Sequence, residues 1–382
     1  MTLIHACDKE ALTAFLAQHN IPQRRTKQIF HAIYKESILD FQEITTLSKE
    51  LRDLLQEHVM LSTFHLEQCI EGPESTKFLF RLPDWNLIEA VLMFHRHQKE
   101  EAGTQRKILR SRTNPTIDSQ THTLNRVTLC ISSQVGCAVG CIFCVTGKLG
   151  FKKNLTREQM IEQILQANHY VKQKLGKKED GTRRKIRNIV FMGMGEPLLN
   201  YDAMKTAITV MTDQQALWLS KRHITISTSG VVSAMKKLIE DKIDVMLALS
   251  LHAPNQALRE QLIPMIAKRR PLDELMETVD AYVAETGKRI FYEYIMIKDS
   301  TDTQDIAHQL WKLLATRNAH VNLIPYNENP AMPDLVTSDF NTILVFKRIV
   351  EGYGVTCTVR DTLWRDVKGA CGQLGYEKVK NG

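Results

Sequence analysis

From Val127 to the C-terminus the chain alternates two hydrophobic periodicities, and no other feature limits its fold as much. Apolar stretches at 127–132, 187–192, 223–227, 244–251, 290–297, 320–326 and 355–360 are predicted strands. Between them apolar residues recur at helical spacing near 156–175, 202–215, 231–241, 272–286, 303–316 and 339–351. Repeated strand–helix units imply a parallel sheet with helices outside it. Six or seven units are too few to close an eight-unit barrel. The expectation is therefore an α/β fold, a partial and open (β/α)6-type barrel, with its chemistry at the C-terminal ends of the strands. Thr156 and Gln159 read as a capping box opening the first of these helices, with Met160, Ile161, Ile164, Leu165 and Val171 on its buried side.

The 382 residues leave room for a smaller unit ahead of this barrel. Residues 1–65 read as a small helical N-terminal domain. Asp8 is placed to cap a helix through Ala14, Phe15 and Leu16, and Ile21-Pro22 breaks it. A second helix, Gln23 to Tyr34, carries Ile29, Phe30 and Ile33 on one face, and a third from about Ser48 aligns Leu51, Leu54, Leu55 and Val59. The run Arg24-Arg25-Thr26-Lys27 is either a solvated face or a phosphate contact. Residues 66–93 read as a β-hairpin extension, in which Glu89 would ordinarily sit on the solvent face of an edge strand. Residues 94–126 hold seven Lys/Arg against three acids and little apolar periodicity, so they read as a basic linker or insertion. Residues 127–382 form the core domain. The loop 172–187 is also basic, with eight Lys/Arg against two acids.

The net charge of +7 is compatible with a polyanionic partner. No apolar run reaches the length of a membrane span, and Met1 to Asp8 lacks the pattern of a secretory leader. The expectation is a cytoplasmic protein without a membrane partner, whose eight cysteines serve metal or redox chemistry. Three of them, Cys137, Cys141 and Cys144, form a CxxxCxxC triplet in a glycine-rich loop, where three thiolates can converge. A [4Fe–4S] cluster normally takes four cysteines, so three would leave one iron open. Structural zinc prefers four ligands in paired spacings, and no second pair follows here. Further polar groups fall at or beyond strand ends: Gly193-Met194-Gly195-Glu196-Pro197, Ser227-Thr228-Ser229, Ser250-Leu251-His252-Ala253-Pro254-Asn255, and Pro325-Tyr326-Asn327. Singly each is a turn, a core histidine or a loop cap. Together at one barrel mouth they suit a polar cofactor. Cys371, in Gly369-Ala370-Cys371-Gly372-Gln373-Leu374, and Cys130 are isolated thiols of the kind that is usually structural. Cys7, Cys69 and Cys357 are read as structural.

The triplet resembles the signature of the radical S-adenosylmethionine (SAM) enzymes. With Leu129-Cys130-Ile131-Ser132-Ser133-Gln134-Val135-Gly136-Cys137, GMGEP and ACGQL it resembles more narrowly the RlmN/Cfr family of RNA adenine methyltransferases. The resemblance covers about residues 10–380 outside 94–126, where the family connection is much shorter. It departs again at Leu363-Trp364-Arg365-Asp366-Val367-Lys368, where the family has an Arg-Gly pair and a second acid and this chain keeps one acid, Asp366. It implies a radical SAM barrel with a [4Fe–4S] cluster on Cys137, Cys141 and Cys144, and SAM against Gly195, Glu196, Ser227, Ser250, Leu251, His252 and Asn327. It implies Cys371 as methyl carrier and Cys130 as the resolving thiol, with Glu89 or Cys130 as proton acceptor. The implied partners are 23S rRNA, tRNA and an electron donor such as flavodoxin, with the helical N-terminal domain helping to bind RNA. The motif set looks more like the branch that methylates carbon 2 of adenine. The alternatives are the Cfr branch, which methylates carbon 8, and a non-catalytic Fe–S or zinc nucleic-acid-binding module.

Overall fold

The structure is a computed structural model that describes residues 4–5, 8–98, 122–176, 184–360 and 367–375. Three helices open it. α1 (Lys9–Gln18) starts at Asp8, whose carboxylate accepts from Ala11 N at 2.9 Å, the cap the sequence suggested. α2 (Arg24–Phe30) runs on into a π-turn over residues 31–35, and α3 (Lys49–His58) is capped by Ser48. A two-strand parallel pair unforeseen from the sequence, β1 (Ile4–His5) with β2 (Val59–Met60), ties the ends of this unit together. Leu12, Leu16, Ile29, Ile33 and Leu55 are fully buried and belong to one apolar core continuous with that of the barrel. The Glu162 carboxylate, itself buried, fastens the following turn by accepting from Thr63 N at 2.7 Å and Ser62 Oγ at 3.0 Å.

β3 (His65–Glu71), β4 (Ser75–Arg81) and β5 (Leu87–Gln98) form an antiparallel meander that leads into β6 (His122–Cys130). Two short strands, β7 (Gln134–Gly136) and β8 (Phe151–Asn154), pair across the base of the cysteine loop, and the four-residue α4 (Val145–Lys148) lies inside it. The alternation then runs α5 (Arg157–Leu175), β9 (Asn188–Phe191), α6 (Tyr201–Thr212), β10 (Ile224–Thr228), α7 (Val232–Glu240) and β11 (Met246–Ser250). Two short helices, α8 (Gln256–Leu262) and α9 (Pro264–Ala267), precede α10 (Leu272–Thr286). β12 (Ile290–Met296), α11 (Gln304–Leu314), β13 (Ala319–Pro325), α12 (Phe340–Glu351) and β14 (Thr356–Val359) complete it. The capping box at Thr156 and Gln159 is formed.

All ten strands from β3 onward except the β7–β8 pair make one sheet in the order β14-β13-β12-β11-β10-β9-β6-β5-β4-β3. β6 and β9 to β14 are mutually parallel, each new strand adding to the same side. That is the open (β/α)6-type barrel expected, six strand–helix units closed by a last strand. Two boundaries differ from the sequence reading. The 66–93 segment holds a three-stranded meander rather than a two-stranded hairpin, and its strands extend the barrel's own sheet. The 94–126 segment is strand at both flanks, with Gln98 paired to His122, and 99–121 lie outside the described residues. Polar side chains on a two-stranded ribbon give no apolar alternation, which is why the ladder was not visible.

Candidate active site

Because side chains alternate along a strand, one set of positions on each strand points into the barrel, and these line two cavities. The larger, about 610 Å³, is walled by alternate residues of β5, β6, β9, β10, β11 and β12, with Cys130 and Cys371 at one end. The smaller, about 150 Å³, lies at the C-terminal ends of the strands. Cys137, Cys141 and Cys144 line it, together with Gly195, Glu196, Ser227, Ser250 and His252. Met192, Glu293, Arg360 and Cys371 belong to both walls.

The three triplet thiols are half-buried in the lining, and desolvation raises all three above the ordinary thiol value, Cys137 to about 12. Repulsion between neighbours adds to this at Cys137 and Cys141. Such a set is costly as thiolates unless cationic metal sits among them, and that is the requirement a cluster meets. Among the described residues no His, Cys, Asp or Glu side chains group closely enough around one point to hold a single ion. The three thiols line one wall of the small cavity, where they would hold a cluster.

The GMGEP turn reaches the same cavity. Gly193 and Gly195 pass so close to β6 and its following turn that a Cβ on Gly195 would lie 2.5 Å from the Gln134 side chain, and φ there is +99°. Glu196 is buried, which raises its carboxyl above the ordinary value, and it accepts from Ser229 N at 2.7 Å, Ser229 Oγ at 2.8 Å and Leu198 N at 3.1 Å. His252 adopts φ +57°, uncommon for a non-glycine residue. Its Nδ1 accepts from Ile295 N at 3.1 Å, which leaves the proton of the neutral ring on Nε2. Burial pushes its pKa down to about 3. Two residues expected at this cavity are not in its lining. Leu251 is fully buried in the apolar core, and the Asn327 amide donates to Cys371 O at 3.1 Å.

Cys371 sits in a loop fastened from four sides. Val145 N donates to Gly372 O at 2.8 Å, Thr146 Oγ1 to Leu374 O at 2.8 Å, Asn327 Nδ2 to Cys371 O, and Gly375 N to Glu89 Oε2 at 2.7 Å. Glu89 is therefore not on a solvent face. It is 2% exposed, pairs with the equally buried Lys77 at 3.3 Å, and lies outside the lining of both cavities. Residues 361–366, including Arg365 and Asp366, lie outside the described residues. Cys130 and Cys371 are both free thiols on the lumen wall, and burial raises both, with Cys371 raising Cys130 further.

Sequence reasoning passed over Arg360, Glu293, Asn322 and Arg259. Arg360 donates to Glu293 Oε1 at 2.8 Å, and Asn322 Nδ2 donates to the same oxygen at 3.0 Å. The Arg360 guanidinium partly offsets the effect of burial on the Cys371 thiol. Arg259, fully buried, donates to Ser229 O and lies near enough to Cys141 to lower its thiol pKa, while among the described residues its Nε has no partner. The one available signal was an acid, Glu293, inside the otherwise apolar strand Tyr292 to Met296.

A barrel of this topology with a three-cysteine cavity at its C-terminal end defines a radical SAM enzyme, and the radical SAM superfamily model matches residues 131–310. The model for the ribosomal RNA large subunit methyltransferase N-terminal domain matches residues 4–61. The chain is 38% identical over 369 residues to a dual-specificity RNA methyltransferase RlmN of Halorhodospira halophila, covering 96% of this chain and 91% of that protein. It is 32% identical to ribosomal RNA large subunit methyltransferase N of Nitrosopumilus maritimus, over 99% of this chain and all of that one. A crystal structure of a radical SAM methyltransferase from Sphaerobacter thermophilus superposes with a TM-score of 0.84 at 35% identity, over 98% and 99% of the two chains. The chain belongs to the RlmN family of radical SAM RNA methyltransferases. Its cofactors are a [4Fe–4S] cluster and SAM. Among the described residues no helix is long and apolar enough to cross a membrane.

Proposed function

We propose that this enzyme methylates carbon 2 of one adenine in 23S rRNA, and in tRNA, and carries the methyl carbon on Cys371. The observation that carries this reading is that Cys371 lies on the wall shared by the two cavities, with the second thiol, Cys130, on the lumen side only. Cys137, Cys141 and Cys144 hold the cluster, and Gly195, Glu196, Ser227, Ser250 and His252 line the place for SAM. When bound, these cofactors supply methyl groups and a one-electron route for removing hydrogen from a methyl group. An external electron donor such as flavodoxin serves them.

The chain's own residues do the rest. Cys371 Sγ loses its proton and accepts the methyl group as a thioether, with the Arg360 guanidinium favouring the thiolate. The carbon joins the base while still attached to Sγ, so protein and RNA form one covalent species. Cys130 Sγ then attacks Cys371 Sγ. The base carbon loses its hydrogen as a proton, a sulfur–sulfur bond forms, the sulfur–carbon bond breaks with its electron pair going to the carbon, that carbon takes up a proton to become the methyl group on the RNA, and the odd electron left by the addition passes back out by the one-electron route. Glu89, held by Lys77, positions the loop through Gly375 N. Reduction of the disulfide resets the pair.

Labelled RNA on a denaturing gel tests the assignment. Cys130→Ala is expected to trap a protein-shifted RNA band, and Cys371→Ala to give neither band nor product. Trapping by Cys371→Ala would reverse the two roles, and unimpaired turnover in both variants would end the mechanism. Chromatography of the nucleosides from wild-type product reads carbon 2 against carbon 8.

A further inference from the structure

Two cations set into the sheet each hold a carboxylate. Lys77 meets Glu89 at 3.3 Å with both side chains 2% exposed, and Arg360 donates to Glu293 Oε1 at 2.8 Å. Arg259 has no such partner. It is fully buried and its Nη2 donates to Ser229 O, but among the described residues its Nε finds no acceptor. The one acidic group there that acts on it is the Cys141 thiol. A buried charge left uncompensated is strongly destabilising, so a chain that keeps one must balance it with something else.

We propose that Arg259 is the counter-charge of the iron–sulfur cluster, a positioning residue that steadies the loaded cavity and makes the cluster easier to reduce. The proposal rests on the reading that Cys137, Cys141 and Cys144 hold a [4Fe–4S] cluster, and adds the residue that sets its potential.

The place of Arg259 is set by α8. Asn255 caps that helix, accepting from Leu258 N at 2.9 Å, and Leu262 O accepts from Ile142 N at 3.1 Å, beside Cys141. Residues three apart share a helix face, so Arg259 lies one turn before the residue that touches the cysteine loop. Leu262 and Ile263 belong to one apolar cluster with Val139 and Phe143 of that loop. The guanidinium lies against Gly230, where an added Cβ would be 3.2 Å from Arg259 Nη2 and 2.9 Å from Leu275. Through Ser229 it also reaches Glu196, because Ser229 N and Oγ both donate to Glu196 Oε2, at 2.7 and 2.8 Å. Arg259 is in the lining of neither cavity, so it acts through the wall of the small one. Its charge is felt at two lining residues. Desolvation, Cys144, Cys137 and Glu196 raise the Cys141 thiol, and Arg259 opposes them. At His252 desolvation is the larger cause, and Arg259 lowers the ring further.

The charge balance of the cavity calls for such a cation. Three thiolates outweigh the charge of an oxidised cluster core, so the loaded site is net negative, and one added electron makes it more so. Of the charged side chains in the lining, Glu196 is itself an acid and Arg360 is already paired with Glu293. Arg259 is the unpaired cation behind that wall among the described residues. Being fixed and shielded from water, it favours the more negative, reduced state with little screening by salt. At an effective dielectric of about 20, a unit charge about 10 Å away shifts a one-electron equilibrium by about tenfold. An exposed cation on the outer helices is screened and has far less effect.

The test is the midpoint potential of the cluster, read by electron paramagnetic resonance on anaerobically reconstituted protein poised with dithionite and mediator dyes, without SAM. Arg259→Gln keeps a side-chain donor for Ser229 O and removes the charge. The ratio of reduced to oxidised cluster at a fixed poise is expected to fall about tenfold, a downward shift of about 59 mV for one electron. Arg259→Lys keeps the charge and loses the planar fork, and that ratio is expected to stay within about twofold of wild type. Lys312→Gln, exposed on α11, is expected to leave it unchanged. Chemical denaturation gives a second reading. Without the cluster, Arg259→Gln is expected to be no less stable than wild type, because an unbalanced charge is gone, and loading with iron and sulfide is expected to stabilise it less. An unshifted potential in Arg259→Gln, or the same shift in Arg259→Lys, would overturn the assignment. So would equal loss of iron from both variants, or a cluster-free Arg259→Gln less stable than cluster-free wild type, since either marks a merely structural side chain. Loss of iron from Arg259→Gln alone would support it. Wild-type protein that binds no iron, or Cys141→Ala that keeps it all, would instead overturn the cluster reading.

Discussion

The two cavities share the inward face of one sheet yet are built in different ways. On β10 the lower inward residue, Thr225, lines the lumen and the upper one, Ser227, lines the small cavity. On β11 Met246 and Ala248 divide from Ser250 in the same way, and on β13 Asn322 from Ile324. Yet the small cavity is completed by contiguous turns: the cysteine loop, the glycine turn before Glu196, and Thr228-Ser229. The lumen draws mostly on alternate residues of separate strands, joined by Arg222-His223 and Gly369-Ala370-Cys371. The small cavity thus rests largely on local motifs, while the lumen is assembled mainly from strand positions far apart in sequence.

The sharpest break between the two should come from Cys141→Ala. Iron content is expected to fall toward zero and methyl transfer to vanish, while RNA affinity stays within about threefold of wild type. Loss of RNA binding in the same variant would mean that the two cavities are not independent. Next in size is Lys77→Met. It strands the Glu89 carboxylate in a site where both partners are 2% exposed, at an expected cost of about 3–5 kcal/mol in chemical denaturation. Adding Glu89→Gln should recover most of that loss, because the remaining charge is gone and the amide can keep Gly375 in place.

Arg360→Gln acts on the shared wall. It leaves Glu293 without its cation, and because Arg360 is about a quarter exposed the expected cost is at the low end, about 3 kcal/mol. The guanidinium holds the Cys371 thiol below where burial alone would set it. Removing it raises that pKa further, so the thiolate fraction at any given pH falls. Alkylation of Cys371 by iodoacetamide, followed in a Cys130→Ser background, should shift to higher pH and slow at pH about 8. An unshifted profile would separate Arg360 from the thiol. The smallest effect sets the scale for changes that touch neither cavity. Thr156→Ala removes the α5 cap and should cost about 1 kcal/mol with methyl transfer unchanged.

The sequence by itself determined the strand–helix order of the barrel, the Asp8 and Thr156 caps, the cysteine triplet and the glycine turn before Glu196. Each depends on a hydrophobic period or on residues within a few positions of one another, so its signal lies in a short window. Tertiary structure alone decided that Glu89 is buried against Lys77 rather than exposed, because the strand reads the same whether or not a C-terminal loop later covers it. It also decided that Leu251 turns to the core and that Asn327 serves Cys371 O, since adjacent residues at a strand end face opposite ways. The set Arg360, Glu293 and Asn322 exists only once separate strands are set side by side. Sheet packing brings together residues tens to hundreds of positions apart, and no local pattern in the chain records that meeting.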